Sequence, residues 1–174
     1  MRGDFSRIRR DTGKGYTSVL QQQGRVALDA DANEQCFLDE ALRRTQAVDV
    51  IGKFGAPAGD AGFAISASGG QILIGPGRYY VDGLLCENPS QLSYDEQPFL
   101  SVPPAQDAAS LLAMTQNGQA LQLYLQAWQR LVTALDDPSL HEPALGQADT
   151  TARVQTIWRV IARPVERKSS AIHG

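Results

Sequence analysis

Residues 22–35 pass from turn to extended alternation to helix start within fourteen positions, and that passage fixes where the longest helix of the chain can begin. Gln22, Gln23 and Gly24 carry the turn signal, because glycine takes positive φ at no steric cost. Arg25, Val26, Ala27 and Leu28 then read as extended. Asp31, with Glu34 three residues on, has the spacing of an N-cap and its helper carboxylate. Beyond it Phe37, Ala41, Val48 and Ile51 recur on one helical face with Leu38 and Leu42 beside them, while Asp39, Glu40, Arg43 and Arg44 face outward. The pattern predicts one long amphipathic helix over residues 31–52, stopped by Gly52.

An arm without apolar periodicity precedes this segment. Arg2, Arg7, Arg9, Arg10 and Lys14 stand there against Asp4 and Asp11, in a chain whose formal charge is −3. A net-negative chain lacks the basic footprint of a nucleic-acid binder, so the arm is expected to meet protein. With 174 residues, 43% apolar and 20% charged, the chain suits one folded domain with an appendage. The expected division is a docking arm at 1–23, an α+β domain at 24–165 and a polar tail at 166–174. No apolar run approaches the roughly 18 residues that span a bilayer. Residues 1–16 also lack the core of a signal peptide, so synthesis and assembly in the cytoplasm without membrane insertion are expected.

After the helix the pattern changes to short strands and breakers. Residues 62–66, 71–74, 78–81 and 84–87 read as strands, with Asp82-Gly83 as a tight hairpin turn. Prolines 89, 98, 103 and 104 break residues 88–117, leaving room for a short helical turn over 105–114. Residues 121–132 and 153–163 alternate with period two and are expected to pair. The predicted core joins Phe37, Leu38 and Leu42 of the helix to Leu123, Leu125, Val154 and Val160. A loop as long as 134–151 inside a compact domain is often functional.

The chemistry-bearing residues are scattered. Asp29, Asp31, Asn33 and Glu40 match the alternate spacing of a calcium loop, but Glu34 occupies the position where that loop needs glycine. His141 and His173 have no partner fixed by local sequence, and Asp136, Asp137 and Glu142 read as turn carboxylates beside prolines. Gly75-Pro76-Gly77-Arg78 lacks the ending of a phosphate loop. Cys36 and Cys86 have no metal or redox spacing. No catalytic residue, metal ligand or cofactor is expected.

Other motifs, taken together, carry a resemblance. Met1 to Arg7, Val19 to Val26 with Leu28 to Asp31 and Asn33 to Gln35, Gly77 to Gly83, Trp128 to Arg130, Val132 to Pro138, Glu142 to Gly146 and Thr156 to Trp158 resemble an uncharacterised bacterial domain family associated with phage-tail-like contractile injection systems. The family pattern has a tryptophan where Ala32 stands and an acidic residue where Gln129 stands, and its members continue well past the position of Pro164. The resemblance implies a structural or assembly component, a baseplate, spike or fibre-associated adaptor, that binds other subunits of a tail-like particle in a hetero-oligomeric assembly and leaves the cell with it. The expected contact residues are Arg2, Phe5, Arg7, Leu20, Gln22, Gly24, Arg25, Asp29, Asp31 and Asn33. The alternatives are a small hydrolase of cell-envelope polymers and a surface-glycan module using Tyr79, Tyr80 or Trp128. The expected fold is α+β, a mainly antiparallel β-sheet domain with one long helix and an extended N-terminal arm.

Overall fold

The structure, a computed structural model, describes residues 3–9, 11–100 and 107–165. Arg2, Arg10 and the tail at 166–174 lie outside the described residues. The fold is α+β with mostly antiparallel sheets and two α-helices among the described residues, α1 (Asp29–Ile51) and α2 (Ala108–Gln116). In chain order the strands are β1 (Phe54–Gly55), β2 (Ile65–Ser68), β3 (Gln71–Ile74), β4 (Gly77–Val81), β5 (Leu84–Asn88), β6 (Leu92–Ser93), β7 (Leu121–Val132), β8 (His141–Glu142), β9 (Ala148–Asp149) and β10 (Arg153–Pro164). They form four small sheets, ordered β1-β4-β5, β2-β3-β6, β7-β10 and β8-β9.

The chain divides into two compact units, each built from separated segments. One comprises residues 1–55, 80–85 and 129–156; the other comprises 56–79, 86–128 and 157–174. The long strands β7 and β10 and the hairpin strands β4 and β5 each give part of their length to both.

The second unit holds most of the buried residues. Ile72 and Ile74 of β3, Tyr94, Leu111 of α2, and Ile157, Val160 and Ala162 of β10 are all buried there. β2 and β3 form a hairpin in the register Ile65↔Ile74 to Ser68↔Gln71, turned by Gly69 and Gly70 at φ 58° and 77°. Both glycines lie in the left-handed region that a two-residue hairpin turn requires, so the turn closes without strain. Polar groups complete the interior. The Gln97 amide donates to the Tyr94 and Val160 carbonyls at 2.8 and 3.1 Å and accepts from the Val160 N–H at 2.6 Å, and the Ala162 N–H donates to the Tyr94 hydroxyl at 3.2 Å.

The first unit is thinner. Ala30, Leu38, Val132 and Ala134 are its buried apolar residues. Two expectations about α1 are corrected here. The helix begins at Asp29, and its N-cap position, Leu28, makes no side-chain cap bond. Asp31 therefore sits inside the first turn, where an acidic side chain complements the helix dipole. The stop at Gly52 is as expected, its N–H donating to the Val48 carbonyl at 2.9 Å. The buried stripe of α1 is also narrow, because Leu42 is 48% exposed and Val50 78%. Leu123 and Val154 are likewise exposed, at 38% and 44%, so of the predicted core Leu38 and Val160 are buried and Phe37 and Leu125 half-buried. Strand alternation says which residues share a face, but not whether anything covers it.

Candidate functional site

The described part of the arm lies against α1 and is held there by polar contacts. The Ser6 hydroxyl donates to both Asp29 carboxylate oxygens at 2.7 and 2.6 Å, and Arg9 pairs with Glu34 at 3.2 Å. The Val19 N–H donates to Gln35 Oε1 at 2.6 Å, while Gln35 Nε2 donates to Asp39 at 2.8 Å. The hydrogen bond from Ser6 holds the Asp29 carboxyl below the usual carboxylate range.

Beneath the arm a groove of about 420 Å³ is lined by Phe5 and Ile8 of the arm, Asn33, Phe37 and Arg43 of α1, Leu131 of β7 and Val154 of β10, among others. A smaller cavity of about 220 Å³ lies on the Arg9 and Glu34 side. Glu40 and Gln129 line both, joined by a 2.6 Å bond from the Gln129 amide. A carboxylate at position 129 could not donate that bond.

The expected contact residues fall into three groups. Phe5, Asp29 and Asn33 belong to the arm's seat, Phe5 and Asn33 lining the groove and Asp29 gripping Ser6, whereas Asp31 lies in the first turn of α1 on another side of the helix. Leu20, Gln22, Gly24 and Arg25 are exposed in the segment joining arm to helix, where the Arg25 N–H donates to the Gln22 carbonyl at 3.2 Å and Gly24 takes φ 70°. Arg7 is exposed and distant from this turn in sequence, and Arg2 is not described. Sequence reasoning missed Ser6, Arg9 and Gln35, whose partners lie 16 to 25 positions away and leave no local signal. It also missed Tyr16, Val26 and Leu28 of the joining segment, which are 56%, 81% and 47% exposed.

The loop after β7 is stiffened by its own carboxylates. Asp136 accepts from the Thr133 N–H at 2.9 Å, Asp137 from the Ser139 hydroxyl at 2.7 Å, and Glu142 from the Ala144 N–H at 3.0 Å. Asp136 and Asp137 are lowered by these bonds, chiefly from the Thr133 N–H and the Ser139 hydroxyl, and so stay ionised. A general acid needs the opposite shift. His141 lies on β8 opposite Asp149 of β9.

The calcium spacing is carried on a helix. Asp29 and Asn33 are one turn apart there and Asp31 points to another side, so the three do not converge. Among the described residues no group of three or more histidine, cysteine or acidic side chains is placed to hold a metal ion.

Two of the aromatic rings proposed for glycans, Tyr79 and Trp128, meet other side chains. Phe63 meets Trp158 edge-on at 4.7 Å and Tyr79 at 6.5 Å. Trp128 lies beneath the Arg159 guanidinium at 5.4 Å and beside Phe99 at 6.4 Å.

Residues 1–168 match the pattern that defines the family of unknown function DUF6519. The chain belongs to that family. For DUF6519 the match extends from the arm through α1 and both long strands, so the arm's seat is part of the family's shared region. No curated protein and no solved structure matches this DUF6519 chain. Among its described residues no helix is long and apolar enough to cross a membrane.

Proposed function

We propose that this chain is a structural or assembly component of a phage-tail-like contractile injection particle, acting by protein binding through its N-terminal arm and the segment that joins the arm to α1. The observation that carries the reading is the state of that segment. Tyr16, Leu20, Val26 and Leu28 are all large, apolar and exposed, in a segment free of helix and strand that turns once, at Gln23-Gly24, and is extended at Leu28. Exposed apolar residues on an extended strand suit β-augmentation, in which main-chain hydrogen bonds give affinity and alternate side chains give specificity.

The contacts that hold the arm to α1 are consistent with release. Ser6 and Asp29 are both exposed, so the bond between them contributes little, and a neighbouring subunit offering an apolar site can compete for the arm. In the assembled particle the arm becomes the extended element expected from sequence. The lowered carboxylates support a role without catalysis, since each is explained by a turn, a cap or the arm. The particle is assembled in the cytoplasm and carries the chain out with it.

The test is deletion of residues 1–23, followed by purification of tail-like particles and a count of this chain per particle. Incorporation is expected to vanish while the truncated chain still unfolds cooperatively. Normal incorporation of the truncated chain, or a hydrolytic activity of the pure chain lost in His141→Ala, overturns the reading.

A further inference from the structure

We propose that the outer edge of β7 accepts residues 25–28 of a second copy of this chain, so that copies join head to tail by strand addition. This rests on the functional reading above and names a receptor for the joining segment.

The two edges of the β7-β10 ribbon are finished differently. On β10, side chains occupy the main-chain positions that a third strand would take: Gln97 bonds both the N–H and the carbonyl of Val160, and Tyr94 takes the Ala162 N–H. Gln97 and Tyr94 are 4% and 0% exposed, so that edge is closed. β7 has β10 as its one strand neighbour among the described residues. Leu123 and Tyr124, which point to opposite faces, are 38% and 43% exposed, and Gln122 and Gln126 are exposed beside them. A sheet edge left open presents a row of donors and acceptors to any extended chain.

The complementary strand lies in the same sequence. Leu28 is extended at φ −110° and ψ 141°, and the N–H groups of Val26, Ala27 and Leu28 make no hydrogen bond to the described residues. Side chains two apart share a face of a strand. Laid beside β7, Val26 and Leu28 continue the apolar face of Leu123 and Leu125, and Arg25 falls on the face of Tyr124 and Gln126. Four residues bury far less than the roughly 1,000 Å² of a stable interface, so the contact is weak and concentration-dependent. Donor and acceptor are different patches, so each added copy offers a fresh edge and a fresh strand, and the assembly closes into a ring or keeps growing.

The full chain is examined by sedimentation velocity from about 10 μM to 1 mM, the range in which a contact this small saturates. Mass rising beyond the dimer is expected. Val26→Pro removes a main-chain donor that bonds none of the described residues, and Tyr124→Lys places a charge on the edge. Each is expected to weaken association at least about tenfold while leaving the unfolding midpoint unchanged. Mixed in equal amounts they form a pair and nothing larger, because one keeps its edge and the other its strand. A synthetic peptide of residues 20–30 in excess dissolves the wild-type assembly and needs no variant. A wild-type chain that stays monomeric across the range, a mixture that stays monomeric, or a peptide without effect overturns the proposal. If the monomeric chain still requires residues 1–23 to enter particles, the head-to-tail contact alone is wrong and the functional reading stands.

Discussion

Gln97→Leu removes the side chain that closes the β10 edge, and the structure sets the size of the loss. Val160 is 3% exposed, and in this variant both its N–H and its carbonyl lose the partners found at 2.6 and 3.1 Å. An orphaned buried polar group costs about 1–3 kcal/mol, partly offset here because the amide itself no longer has to be desolvated. A net loss of about 3 kcal/mol is expected, or a fall of roughly 1.5 M in urea midpoint for a slope of about 2 kcal/mol per M. Gln97→Glu separates donor from acceptor. It keeps an oxygen for the Val160 N–H but has no N–H to give, and it costs more near neutral pH than at about pH 4, where the carboxyl carries a proton. Equilibrium urea unfolding followed by tryptophan fluorescence measures both. A midpoint shift below about 0.3 M for Gln97→Leu, near the 0.5 kcal/mol scatter of ordinary surface substitutions, refutes the assignment of Gln97 as a strand substitute.

Leu38→Ala, at a residue 6% exposed, is expected to cost about 2–4 kcal/mol, and Leu42→Ala, at 48% exposed, under about 1 kcal/mol; chemical denaturation of the pair reads how narrow the buried stripe of α1 is. The exposed Cys36 reacts with a chromogenic disulfide reagent in the folded chain, whereas Cys86, 1% exposed and with its thiol pushed up by burial to about 11, reacts only on unfolding, so one thiol titrates before denaturant and two after. Because the folded Asp29 carboxyl is lowered by Ser6, its hold on the arm is fully present above the ordinary carboxylate value of 3.8 and is lost as pH falls through its lower folded value. The protection of amides around Ser6, measured against their intrinsic exchange rates at each pH, is expected to fall over that acid range, and Ser6→Ala to remove the dependence.

The hairpin at Asp82-Gly83 was legible in the sequence because its signal is local. Both residues take positive φ, 49° and 76°, as a two-residue turn demands. The same holds for β7 and β10, whose period-two alternation runs the length of each strand. Tyr94 and Gln97 were not legible. They lie in the proline-broken stretch after β5, and their partners at Val160 and Ala162 are 63 to 68 positions away. No periodicity announces a side chain that will bond a distant main chain. The arm's seat failed to show for the same reason, since Ser6 and Arg9 look like any exposed polar residues until Asp29 and Glu34 are placed beside them.

The interleaved division of the chain governs the order in which it can fold. One unit needs residues 129–156 and the other needs residues from 157 onward, so the first is complete only once β10 has begun and the second only once β10 has been made. Synthesis from the N-terminus therefore releases α1 and the β2-β3 hairpin well before the strand that completes either unit. Contacts this distant in sequence slow the search for the native state. In the interval, the apolar residues of the joining segment and the faces that β10 will cover stand open to other chains, and a nascent copy is at its most aggregation-prone just before β10 leaves the ribosome.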